Sequence, residues 1–139
     1  MPRIPLLDKD APEEGTYTVK FTFKDEELNL VTPTAINWWL TDLDGDPINN
    51  RSEVSATPAN PYYLTLTGPD LQMKDVKEKY DFRLVTLRGL YNSNRGNNLP
   101  LTHVVMFRLA NILVVGRPLY VEATDVAYTG DILICSAPV

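Results

Sequence analysis

Apolar and polar residues alternate with a period of two over most of residues 16–67. In Tyr17-Thr18-Val19-Lys20-Phe21-Thr22-Phe23-Lys24 the aromatic and branched side chains take one face and Thr or Lys the other, as a half-buried β-strand requires. The same phase returns at Ile36, Trp38 and Leu40, and at Tyr62, Leu64 and Leu66. Strands are therefore predicted over 16–24, 34–41, 53–57 and 62–67. No stretch of comparable length carries the 3.6-residue period of an amphipathic helix.

Turn chemistry divides these runs. Asp44-Gly45 supplies a tight hairpin, since Gly accepts the positive φ such turns need, and a short strand over 46–50 is expected to pair back onto 38–40. Pro58-Ala59-Asn60-Pro61 breaks the next run. At Gly68-Pro69-Asp70-Leu71 the period changes, and Pro at a first helical position predicts one or two helical turns near 69–75. Residues 82–91 and 101–109 form the longest predicted strands. They are joined by Asn92-Ser93-Asn94-Arg95-Gly96-Asn97-Asn98, a turn-rich segment that predicts a projecting hairpin. Further apolar runs at 112–115, 119–123 and 132–135 predict extra C-terminal strands.

Residues 1–15 differ from the rest. They hold three prolines, the acidic residues Asp8, Asp10, Glu13 and Glu14, and one short apolar patch, Ile4, Leu6 and Leu7. This predicts an extended N-terminal arm outside the core, followed by a single sandwich domain over 16–139.

Composition narrows the classes of function. The chain has 139 residues and a formal charge of -5, enough length for one domain with its own core. The net acidity and the scatter of its basic residues argue against nucleic-acid binding, which needs clustered Lys and Arg. The single cysteine, Cys135, excludes a disulfide framework and is read as a buried thiol. No apolar run approaches the roughly 20 residues that cross a bilayer, and Met1-Pro2-Arg3-Ile4-Pro5 lacks a signal-peptide core. The expectation is a soluble protein made in the cytoplasm, without membrane partners.

The element order, with a Trp in the second strand and a long hairpin after a helical turn, matches an immunoglobulin-like Greek key in outline. The fold expected is all-β, an immunoglobulin-like antiparallel β-sandwich. A closer likeness lies in particular segments: Thr32-Pro33-Thr34-Ala35-Ile36-Asn37-Trp38-Trp39-Leu40-Thr41-Asp42, Ile48-Asn49-Asn50-Arg51, Leu64-Thr65-Leu66-Thr67-Gly68-Pro69-Asp70-Leu71, Gly89-Leu90-Tyr91-Asn92-Ser93 and Leu99-Pro100-Leu101-Thr102. With Phe107-Arg108-Leu109-Ala110-Asn111-Ile112, the chain over 16–112 resembles small immunoglobulin-like virion structural proteins of tailed bacteriophages. The resemblance implies a structural role at the capsid surface, neck or tail, and a virion location after synthesis in the host cytoplasm.

Candidate chemistry is sparse. Asp42, Asp44 and Asp46 alternate, and Glu53 follows Asp42 by eleven residues, the spacing of a calcium-binding loop. Pro47 replaces the Gly such a loop needs, and the flanks read as strands instead of helices, so a polar hairpin turn is the reading. His103, the only histidine, is read as an interstrand or edge residue. No Ser lies in a Gly-x-Ser-x-Gly elbow. No catalytic residue, metal or cofactor is assigned.

Trp38 and Trp39, being adjacent in a strand, must face opposite sides. The phase of Ile36 and Leu40 turns Trp38 inward and leaves Trp39 outward, either as an interface anchor or beneath the extra C-terminal strands. Tyr63 is outward by the same argument. Interface residues are accordingly expected at Ile4, Leu6, Leu7, Trp39, Tyr63 and Tyr120. The function expected is that of a non-enzymatic virion subunit contacting other virion proteins in a homo-oligomeric or symmetric assembly, partly through its arm and C-terminal segment. The alternative is a carbohydrate- or receptor-binding module with Trp39, Tyr62, Tyr63, Tyr91 and the Asn-rich loop as the platform.

Overall fold

The computed structural model describes residues 4–74, 77–111 and the strand 120–128, in the last of which only the backbone and Ala123 are described. The fold is an all-β sandwich. Its strands are β1 (Ala11–Pro12), β2 (Thr16–Lys24), β3 (Ala35–Thr41), β4 (Val54–Ala56), β5 (Tyr62–Thr67), β6 (Tyr80–Ser93), β7 (Gly96–Ala110) and β8 (Tyr120–Tyr128). They form a five-stranded sheet in the order β1-β7-β6-β3-β4 and a three-stranded sheet in the order β5-β2-β8. The β7-β6-β3-β4 run and the β5-β2 pair belong to the two layers of the sandwich.

The period-two residues do what alternation predicts. Tyr17, Val19, Phe21 and Phe23 of β2 are fully buried, as are Leu40, Val85, Leu87, Val105 and Phe107 from the facing sheet. Tyr17 and Phe107 bring their ring centroids to 4.9 Å across the layers. Where β3 and β6 run side by side, Gly89 lies opposite Ile36, and a Cβ there would come within 2.1 Å of the Ala35 carbonyl oxygen. Only glycine permits that approach of the two backbones.

Pairing directions depart from the expected antiparallel sandwich. Most neighbours are antiparallel, but β1 runs parallel to β7 and β8 runs parallel to β2 over its whole length. The sheets are therefore mixed. Part of the C-terminal segment, expected to reach for neighbouring subunits, completes the second sheet of its own chain. The runs at 112–115 and 132–135, and Cys135, lie outside the described residues.

The N-terminal segment also departs from expectation. Leu6 bridges Met106, and β1 continues along the β7 edge. Leu7 donates its N–H to the Met106 carbonyl at 2.8 Å, and Met106 donates to that of Pro5 at 2.8 Å. Leu7 and Ala11 are buried in the core. The segment is extended, yet it belongs to the sandwich, because an otherwise open β7 edge offers backbone groups that the arm satisfies.

Two smaller expectations change. The strand over 46–50 contracts to a single bridge between Thr41 and Pro47, since Asn49 and Asn50 both take positive φ and end any extended pairing. The helical turn is a 3-10 turn over Gly68–Leu71. Asp70 closes it by accepting the Thr67 N–H at 3.2 Å.

Candidate interaction surface

Strand register decides what lies on the outer face of the five-stranded sheet. Trp39 of β3 pairs with Thr86 of β6, which pairs with Val104 of β7. One row along, Thr41 pairs with Leu84 and Leu84 with Met106, and the arm adds Leu6 beside Met106. Paired residues share a face. The result is a contiguous apolar strip of Trp39, Leu84, Val104, Met106 and Leu6, with Leu6 46% exposed.

Trp38 is buried in the core and Trp39 is half-buried on the outside, so the phase argument places both rings correctly. The Arg88 guanidinium lies 5.7 Å from the Trp39 ring centroid, a cation–π distance. Arg88 is exposed and makes no ion pair among the described residues. Trp39, Thr41, Gly45, Leu84, Thr86 and Arg88 enclose a shallow groove of about 380 Å³.

Gly45 reaches this groove because the turn after β3 curls back over the sheet. Gly45 has φ 91°, and its N–H donates to the Asp42 carbonyl at 3.2 Å while the Asp42 N–H donates to that of Asp46 at 3.0 Å. The buried Asp42 carboxylate organises the loop. Its Oδ1 accepts from the N–H groups of Asp44 at 2.9 Å and Asp46 at 3.0 Å, and its Oδ2 pairs with the Lys74 ammonium. The Lys74 ammonium and then the Asp46 N–H hold this carboxyl below the usual aspartate range, against the opposing effect of burial.

Asp42, Asp44 and Asp46 do bring carboxylate oxygens within 4.8 Å of one another. Glu53 is exposed and is not part of that group. With both Asp42 oxygens committed to the protein's own donors, the loop has the chemistry of a polar hairpin turn. Asp44 and Asp46 remain exposed beside Gly45.

The other expected interface residues are dispersed. Ile4 is 43% exposed. Leu7 is 2% exposed and cannot present its side chain to a partner, which corrects its assignment to an interface. Tyr63 lies on β5, on the outer face of the opposite sheet, with the Lys20 ammonium 6.0 Å from its ring centroid. The Tyr120 side chain lies outside the described residues. Tyr91 is buried and donates its hydroxyl to Glu26, and Tyr62 packs against the core. Trp39, Tyr62, Tyr63 and Tyr91 thus do not converge on one platform.

His103 pairs with Leu87 of β6 and has no second strand neighbour among the described residues, as an interstrand or edge reading expects. It is 1% exposed on the inner face of β7, with its ring edge-on to Phe21 at 6.1 Å. Leu84, Arg88, Val104 and Met106 were not singled out from the sequence. Their signal was present: Leu84-Val85 and Val104-Val105-Met106-Phe107 are apolar in both phases of the alternation, which places apolar side chains on both faces of a strand. The chain matches no known protein family, no curated protein and no solved structure.

Proposed function

We propose that this protein is a non-enzymatic structural subunit of a tailed-phage particle, acting through protein–protein contacts. The observation that carries the reading is the outer face of the β7-β6-β3 sheet, where Trp39 and Arg88 stack beside an apolar strip. Trp and Arg are the residue types that concentrate binding energy at the centres of interfaces. A contiguous apolar face on a soluble domain marks a surface that another protein covers. The assembly context is what the resemblance read in the segments of residues 16–112 implies.

Particle composition tests the proposal. The protein is expected in purified particles at a copy number fixed by the symmetry of the capsid, neck or tail, and a Trp39→Ala variant that folds normally is expected to be incorporated poorly. Absence from particles, together with binding to isolated cell-wall glycans, would replace this reading with that of a carbohydrate-binding module.

A further inference from the structure

Among the described residues the most exposed large apolar side chains are Leu30 and Leu28, at 70% and 57%. Both lie in the loop that joins β2 to β3, and that loop is braced on three sides. Asp25 closes it: its Oδ1 accepts the N–H groups of Glu27 and Asn29, each at 2.9 Å, and its carbonyl accepts that of Leu28 at 3.0 Å. At the base, the Asn60 amide donates to the carbonyls of Phe23 at 2.9 Å and Val31 at 2.7 Å. At the side, the Glu26 carboxylate accepts the hydroxyls of Tyr91 and Ser93 from the β6–β7 hairpin.

Leu28 is held at φ 64°, a left-handed conformation that Gly, Asn and Asp adopt readily and a bulky side chain does not. Gly or Asn would serve the turn with less strain. A residue unfavourable to the backbone and yet exposed contributes little to the monomer's core, and strain kept at such a place points to binding. Beside it, Glu27 is exposed and makes no ion pair among the described residues. The loop therefore presents two leucines and a carboxylate as one rigid knob.

The groove beside Trp39 is the chemical counterpart of that knob. Trp39 and Leu84 give it an apolar lining, and the Arg88 guanidinium stands over the Trp39 ring at 5.7 Å. A cavity of roughly 150 Å³ holds one benzene, so about 380 Å³ has room for both leucine side chains, with Glu27 set against Arg88.

Within one chain the two cannot meet. The loop is tied to Tyr91, which is buried on the inner side of β6, whereas Leu84 and Arg88 lie in the opposite phase on the outer side. A contact between them joins separate copies. Because knob and groove are different surfaces, the contact is heterologous: each copy offers its loop to one neighbour and its groove to another, which generates a ring or a filament.

We propose that Leu28 and Leu30 of one copy enter the groove of Trp39 and Leu84 on the next, with Glu27 paired to Arg88, so that copies join head to tail. The proposal rests on the reading of the outer face as an assembly surface and names its occupant. The braced loop and the guanidinium stacked on Trp39 lose little freedom on docking. A different virion protein is the competing occupant of the groove, and the test separates the two.

Sedimentation velocity over a micromolar concentration series reads the outcome. The unaltered protein is expected to grow beyond a dimer as its concentration rises. Leu28→Asn takes away the tip of the knob, and Arg88→Glu sets a carboxylate against Glu27; each is expected to weaken self-association at least about tenfold. An equimolar mixture of the two variants retains one intact groove and one intact loop, and is expected to form a dimer of one copy of each and nothing larger. Trp39→Ala in place of Arg88→Glu is a second groove variant with the same expected result. Asn suits the left-handed position and Arg88 is exposed, so thermal midpoints that stay unchanged or rise verify that these two variants are folded.

A wild-type protein that stays monomeric throughout, a mixture that forms no dimer or grows past one, or an association indifferent to every change overturns the proposal. If the protein is monomeric while Trp39→Ala is excluded from particles, another protein fills the groove: the head-to-tail contact is refuted and the assembly surface stands. If association follows the expected pattern while every variant enters particles at normal copy number, the contact stands and the proposed function of the face is refuted.

Discussion

Arg108 grips Asp10 side-on, its Nε at 2.9 Å from Oδ1 and its Nη2 at 2.8 Å from Oδ2. The same guanidinium lies 3.9 Å from the ring centroid of Tyr80, so it is fixed both in its plane and across it. Asp10 is 5% exposed, and stripping a charged donor from so enclosed a carboxylate is costly. The pair fastens the N-terminal segment to the end of β7.

Arg108→Ala is therefore expected to destabilise the fold by about 1–3 kcal/mol, read from chemical denaturation. Deleting residues 1–15 removes Asp10 together with the buried Leu7 and Ala11 and uncovers the β7 edge. It is expected to cost about 3 kcal/mol or more and to promote aggregation. A truncated protein as stable as the intact one would show that the arm contributes nothing to the core.

The two tryptophans give a second test. Trp38, buried and lying under the Arg51 guanidinium at 5.7 Å, is expected to lose about 3–5 kcal/mol on replacement by Ala. Trp39→Ala removes a half-buried ring on the outside and is expected to cost about 1 kcal/mol or less. Equal losses would mean that both faces of β3 are covered within the monomer.

Acid should find a weak point at Asp70. Burial opposes its ionisation, and the Arg51 guanidinium, the Asn49 amide and the Thr67 N–H outweigh burial, so it titrates below the ordinary aspartate range. Arg51 Nε lies 2.8 Å and Asn49 Nδ2 2.9 Å from its Oδ1. With the folded pKa depressed, the unfolded chain binds the proton first as pH falls. Stability from this group is complete above the unfolded value near about 4 and is lost as pH drops through the folded value. Asp70→Asn is expected to be less stable at neutral pH and to show a flatter decline below about pH 4. Parallel acid profiles for the two proteins would remove Asp70 from the account.

Millimolar calcium is expected to leave the thermal midpoint unchanged. The Asp42 carboxylate already accepts from the N–H groups of Asp44 and Asp46 and from the Lys74 ammonium, and a cation would have to compete with that ammonium. A midpoint rise reversed by chelator and abolished by Asp44→Ala would reinstate the loop as a metal site.

Legibility followed distance along the chain. Alternation at Tyr17, Val19, Phe21 and Phe23, and at Ile36, Trp38 and Leu40, reveals which way each side chain points because a strand repeats every two residues. It carries no information about which strand lies alongside, or in which direction. The Asp10–Arg108 pair and the parallel joining of β2 to β8 therefore have no local signature. The outer surface was half legible. Trp39 could be read from its phase beside Trp38, whereas Arg88 acquires meaning only when register sets β6 against β3.

The pairing of β2 with β8 also has a consequence in time. β2 is the middle strand of its sheet, yet one of its two neighbours is encoded about a hundred residues later. At about 5–20 residues per second of synthesis, a nascent β2 carrying Tyr17, Phe21 and Phe23 waits on the order of 5–20 s with that side unsealed. Adjacent ribosomes on one message hold several such strands close together. Fast expression therefore exposes this chain to strand mispairing between nascent copies, whereas slowed translation or lowered temperature favours the correct partner.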